Sequence, residues 1–156
     1  MATLCSLPES GKGLWGGPLR PILGAMAGGE VIDVVLVEDN DVFREALELM
    51  LEVTPDIRVV AAVRDGEAAL EVCPRVGADV VLVDYRLPGL DGVETTAALR
   101  SACPSTSVVV LTAAAETGEM QALMDAGAVA CLTKDRGLEE IVGAIRVAAG
   151  RGAPIG

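Results

Sequence analysis

Five side chains stand at or just beyond the ends of short apolar runs. Glu38 and Asp39 follow VIDVVLV, Asp84 follows DVVLV, Thr112 follows SVVVL, and Lys134 comes two residues after AVACL. Clustered carboxylates repel one another unless a cation lies between them. A few carboxylates plus waters is the usual way of holding Mg²⁺ with positions left for phosphate oxygens. With a metal there, Asp84 can stay ionised and attack a phosphoryl group, forming an acyl phosphate. Thr112 can donate a hydrogen bond to a phosphoryl oxygen, and Lys134 can balance its charge as a flexible point cation. Singly, each residue has a plainer reading: Glu38-Asp39-Asn40 as a helix cap, Asp84 as a turn former, Thr112 as a strand-end hydroxyl, Lys134 as a solvated loop lysine. Their coincidence at successive strand ends favours a site.

Composition narrows the chemistry. The 156 residues include no histidine, which excludes Ser-His-Asp and Cys-His nucleophile systems. The four cysteines, Cys5, Cys73, Cys103 and Cys131, form no CxxC pair, so a structural zinc site is not expected and a reducing cytoplasm suits them. A formal net charge of −11 has the wrong sign for neutralising a nucleic-acid backbone. Direct nucleic-acid binding and membrane association by this chain are not expected.

The elements that must position these residues alternate along the chain. β-branched runs at 31–37, 57–63, 79–83, 107–111 and 128–132 are separated by stretches of helical period near 41–53, 66–75, 92–102, 117–126 and 137–150. In the first helical stretch Val42, Ala46, Leu49, Met50 and Val53 form an apolar stripe, with Phe43 on its flank. Five βα units in about 120 residues imply a parallel sheet covered by helices on both faces. Ligands of such open sheets bind beyond the carboxyl ends of the strands, where the five side chains lie. Residues 1–30 hold seven of the 18 glycines and read as a flexible tail, with Met26 as a candidate natural start. Gly16-Gly17-Pro18 and Pro21 interrupt any signal-peptide core there.

In order and spacing, VVLVEDN, VVLVDYRLPGLDG, VVVLTAA and GAVACLTKD resemble the receiver domain of bacterial two-component response regulators. The resemblance runs over 31–150, leaving 1–30 as the tail and 151–156 as a C-terminal tail or the start of a linker. It implies a flavodoxin-like, doubly wound five-stranded parallel sheet of order 2-1-3-4-5 with five helices, and a receiver is a standard example of that order. It further implies Asp84 as the phosphoacceptor and a Mg²⁺ site from Glu38, Asp39, Asp84 and the backbone carbonyl of Arg86, with Glu38 acting through water. Thr112 and Lys134 match the positions that bind the phosphoryl group. The implied partner is a sensor histidine kinase. The implied output is dimerisation or binding of an output partner through the fourth and fifth helices and the fifth strand, in cytoplasmic transcriptional control. Lys134-Asp135 and the closing EEIVGAIRVAAGRGAP look like the NarL/FixJ subfamily.

Two positions depart from the pattern. Cys131 stands where receivers commonly carry an aromatic switch residue, and Asp135 replaces the proline that often follows the lysine, where it could cap the last helix. The protein is expected not to be an enzyme beyond catalysing its own phosphorylation and dephosphorylation. The alternatives are a pseudo-receiver scaffold and an aspartate-nucleophile phosphohydrolase, the latter weakened by Arg86 where a second acid would stand. A nucleotide-binding module would require a glycine-rich turn after the first strand, and EDNDVF has none.

Overall fold

The strands are short, mostly aliphatic runs whose alternate residues face opposite sides of one sheet. The computed structural model describes residues 30–114 and 116–151. The strands are β1 (Ile32–Val37), β2 (Ile57–Val63), β3 (Val80–Asp84), β4 (Ser107–Thr112) and β5 (Ala130–Thr133). The helices are α1 (Asp41–Glu52), α2 (Gly66–Val76), α3 (Gly92–Ala102), α4 (Thr117–Ala126) and α5 (Leu138–Ala148). All strand pairs are parallel, in the order β2-β1-β3-β4-β5, so the expected doubly wound order is the observed one. The expected tail and the C-terminal segment, with Cys5 and Met26, lie outside the described residues except for Glu30 and Arg151.

Two apolar clusters sandwich the sheet. Val34, Leu36, Leu82, Val109 and Leu111 face one side, where Leu47 and Leu51 of α1 and Ile141, Val142 and Ile145 of α5 cover them. Val35, Val37, Val81, Val83, Val108 and Val110 face the other, under Ala69 and Cys73 of α2, Leu99 of α3 and Leu123 of α4. β3 lies centrally and is buried along its whole length, which explains why its sequence shows no polar alternation. A buried Leu or Val side chain contributes roughly 1.5–3 kcal/mol. Two such layers therefore build an ample core whose fully buried side chains include no aromatic residue.

The helix after β1 is where the sequence reading needs correction. Val42, Leu49 and Val53 are 78%, 68% and 77% exposed, and Ala46 and Met50 are exposed with them. The face turned to the sheet carries the partly buried Phe43 and the buried Leu47 and Leu51, at i, i+4 and i+8. The two apolar stripes lie roughly a third of a turn apart, so helical period alone permits either to face the sheet. Local bonds set the rotation: Asn40 Oδ1 caps the helix by accepting from the amide of Phe43, and Arg44 Nη1 donates to the carbonyl of Glu38 at 2.9 Å. These ties turn Phe43 inward and Val42 outward. The expected cap at Asp135 is also absent: Gly137 is the N-cap of α5, and Asp135 accepts a hydrogen bond from the Thr133 hydroxyl.

Candidate functional site

Each parallel strand delivers its last side chain to the same edge of the sheet. Glu38 directly follows β1, Asp84 and Thr112 are the last residues of β3 and β4, and Lys134 directly follows β5. The chain must turn sharply after Asp84 to reach α3. Gly89 supplies a positive φ of 75°, and the Gly92 amide donates to the Tyr85 carbonyl at 2.8 Å. A Cβ at Gly92 would lie 2.7 Å from Tyr85 Cα, so the closed turn requires glycine there. Asp91 and Glu94 then form a reciprocal capping box that starts α3. This turn holds Arg86, whose amide donates to Asp84 Oδ1 at 3.4 Å while its side chain points to solvent.

Three carboxylates converge at this edge. Oxygens of Glu38, Asp39 and Asp84 all lie within 4.8 Å of one another. Glu38 and Asp84 are 3% and 5% exposed, and Asp39 is open to solvent. Hard oxygen donors with two buried members and an open side match what Mg²⁺ takes. Glu38 and Asp39 are not the helix cap, since Asn40 has that task; Glu38 Oε2 instead accepts from the Asn40 amide at 3.0 Å.

Lys134 reaches across the sheet edge into this group. Its Nζ lies 2.9 Å from Glu38 Oε1 and 3.2 Å from Asp84 Oδ1. The backbone places it there, because its amide donates to the Thr112 carbonyl at 2.7 Å. Burial pushes the Glu38 carboxyl above its ordinary pKa, and the nearby Asp84 charge adds to this against the opposing pull of Lys134. For Lys134 burial acts to lower the pKa, but its bonds to Glu38 and the charge of Asp84 outweigh it, so the ammonium is held above its ordinary value. The buried Thr112 hydroxyl donates to the Ala114 carbonyl at 2.9 Å.

Glu38, Asp39 and Asp84 are therefore in mutual reach, Lys134 contacts Glu38 and Asp84, and Thr112 and the backbone of Arg86 border them. Phe43 escaped the sequence reading as a site residue: its ring centroid lies 4.6 Å from Lys134 Nζ. The available signal was scarcity, since the chain has one Phe, one Tyr and one Trp. Cys131 is half-buried, packs with Tyr85 against the α2-α3-α4 cluster, and has its thiol pKa raised by burial and then by Glu119.

The model of the response regulator receiver domain family matches residues 34–146, well over half of the chain. The chain belongs to this family. The receiver is 39% identical over 116 residues to the response regulator GacA of Pseudomonas aeruginosa, covering 74% of this chain and 54% of that protein. It is 37% identical over 116 residues to a probable transcriptional regulatory protein, NarL, of Mycobacterium tuberculosis, with the same coverage. The solved receiver domain of NarL from Mycobacterium tuberculosis superposes with a TM-score of 0.75 at 36% identity, covering 78% of this chain and 98% of that one. The receiver is thus NarL/FixJ-like, and it spans about half the length of these two full-length relatives. Among the described residues no helix is long and apolar enough to cross a membrane.

Proposed function

We propose that this receiver is a phosphorylation switch in which Asp84 accepts a phosphoryl group from the phosphohistidine of a sensor kinase. The observation that carries the reading is the cluster itself: three carboxylates within 4.8 Å, two of them bridged by the Lys134 ammonium. Glu38, Asp39, Asp84 and the backbone carbonyl of Arg86 would hold Mg²⁺, with Glu38 acting through water. Bound there, Mg²⁺ supplies positive charge between the carboxylates and an incoming phosphoryl group.

The receiver's own groups perform the transfer. An Asp84 carboxylate oxygen attacks phosphorus, the P–N bond of the donor breaks, and its electron pair leaves with the imidazole, which takes a proton from water. Thr112 gives up its bond to the Ala114 carbonyl and donates to a phosphoryl oxygen. Lys134 keeps a positive charge beside the new dianion. The same groups serve hydrolysis of the acyl phosphate, which makes the receiver a catalyst of its own modification only. Arg86, two residues after Asp84, offers no general acid of the kind an aspartate-nucleophile phosphohydrolase uses.

The added charge of about −1.5 to −2 biases a two-state equilibrium of the surface. Exposed apolar side chains mark where partners would dock. Met124 of α4, Val129 before β5 and Val147 of α5 lie on the face expected to switch, and the α1 stripe of Val42, Leu49 and Val53 offers a second surface, fit for a kinase. The output is dimerisation or partner binding in cytoplasmic transcriptional control, with any DNA contact made outside this acidic domain. Residues 31–150 form the receiver in this reading.

Beryllium fluoride, a tetrahedral stand-in for the phosphoryl group, tests the site without a kinase. With Mg²⁺ the receiver should give a bound ¹⁹F resonance that Asp84→Asn abolishes. A resonance unaffected by Asp84→Asn, or none with protein shown to bind Mg²⁺, would count against the reading and favour a scaffold.

A further inference from the structure

In a chain with three aromatic residues, Trp15, Phe43 and Tyr85, the two that the structure describes both stand beside the acceptor strand end, and each faces a cation. Arg86 Cζ is 5.8 Å from the Tyr85 ring centroid, with Arg86 exposed and Tyr85 half-buried. Lys134 Nζ is closer to Phe43, at 4.6 Å, and is the same atom that bonds Glu38 and Asp84. The geometry points to Phe43 as a positioning residue for Lys134, whose ring face holds the ammonium at the site while its carboxylate partners change.

Phe43 is fixed where Lys134 is free to move. The Phe43 amide bonds to Asn40 at 2.9 Å, its neighbour Arg44 is tied to the Glu38 carbonyl, and its ring packs on the α1-α5 core layer. Lys134 hangs on a four-carbon stem with much rotamer freedom. Both its anionic partners are groups that phosphorylation would alter. Glu38 would turn to the metal's shell, and Asp84 would lose its own charge to the oxygens of the acyl phosphate. The ring changes in neither event. A cation over an aromatic face within about 6 Å is attracted by the ring quadrupole, so the N–H donors turned away from the ring can take phosphoryl oxygens. The phenyl ring thus limits where the ammonium can go at the moment it exchanges partners.

This inference rests on the phosphoacceptor reading of Asp84, and the test separates the two. The full chain and its Phe43→Leu and Phe43→Tyr variants are incubated with phosphoramidate and Mg²⁺, and initial phosphorylation rates are compared on protein shown by circular dichroism to be folded. Phe43→Leu keeps an apolar side chain and removes the ring; its rate should fall roughly three- to tenfold. Phe43→Tyr restores the ring and should recover most of the rate. A Phe43→Leu rate equal to that of the unmodified chain, or equal losses in both variants, overturns the inference, because packing alone would then explain the residue.

A second readout needs no phosphorylation. The chain has two lysines, Lys12 and Lys134, so ¹³C-lysine labelling gives two ε-methylene signals. One should be shifted upfield by the ring current in the unmodified chain and in Phe43→Tyr, and should return to the ordinary position in Phe43→Leu. If no variant is phosphorylated, the phosphoacceptor reading fails while this signal still decides the contact; an unshifted Lys134 signal in the unmodified chain overturns the contact itself.

Discussion

The ammonium of Lys134 lies 2.9 Å from Oε1 of Glu38, so one cation from the end of β5 neutralises a buried acid from the end of β1. Removing it leaves Glu38 without a counter-charge in a site that already raises its pKa. Lys134→Met should therefore destabilise the receiver in Mg²⁺-free buffer by about 1–3 kcal/mol, below the full cost of breaking a buried pair because Lys134 keeps some exposure. Adding Glu38→Gln should recover part of that loss. Urea unfolding of both single variants and the double variant measures the coupling, and strict additivity would contradict the ion pair's role.

Divalent cation binding should stabilise the fold through linkage. At Mg²⁺ ten times its dissociation constant the gain is about 1.4 kcal/mol. Asp39→Asn should lose most of that gain with little change in Mg²⁺-free stability, since Asp39 is exposed. Melting temperatures across a Mg²⁺ titration, with EDTA as reference, check both statements.

The rotation of α1 gives a sharp contrast between two leucines two residues apart. Leu51 is fully buried and Leu49 is 68% exposed. Leu51→Ala should cost about 2–5 kcal/mol, and Leu49→Ala should stay within about 0.5 kcal/mol of the unmodified chain. Equal costs would mean that the stripe read from helical period faces the sheet after all.

At the opposite edge of the sheet, Arg146 of α5 forms two 2.8 Å bonds to Asp56, which follows α1. The hydrogen bonds from Arg146 hold the Asp56 carboxyl below its ordinary value of 3.8. Its folded pKa is depressed, so its stabilisation is complete above about pH 4 and disappears as pH falls through the lower folded value. Both side chains are more than a third exposed, which limits the contribution to about 0.5–1 kcal/mol. The stability difference between the unmodified chain and Asp56→Asn should be constant at neutral pH and shrink below pH 4.

Much of the site was legible because parallel strands impose their own order on it. A polar residue that ends a continuous apolar run must emerge at the edge of the sheet, so Glu38, Asp84, Thr112 and Lys134 could be placed together before any coordinates. What the pattern could not contain was rotation and local bonding. The first helix is apolar on two stripes, and the choice between them depends on Asn40 and Arg44 gripping the loop after β1. Asp135 looked like a cap, yet the Thr133 hydroxyl claims it. Phe43 read as the flank of a stripe, and its place beneath Lys134 exists only once α1 and the end of β5 are packed against each other, 91 positions apart in sequence.

The most direct test of the phosphoacceptor assignment is intact mass after incubation with phosphoramidate, with Mg²⁺ or with EDTA, on the unmodified chain and on Asp84→Asn. One added phosphoryl group should appear only with Mg²⁺ and only when Asp84 is present. An adduct that persists in Asp84→Asn, or no adduct on folded protein when sampling is fast enough to outrun hydrolysis, would contradict the assignment.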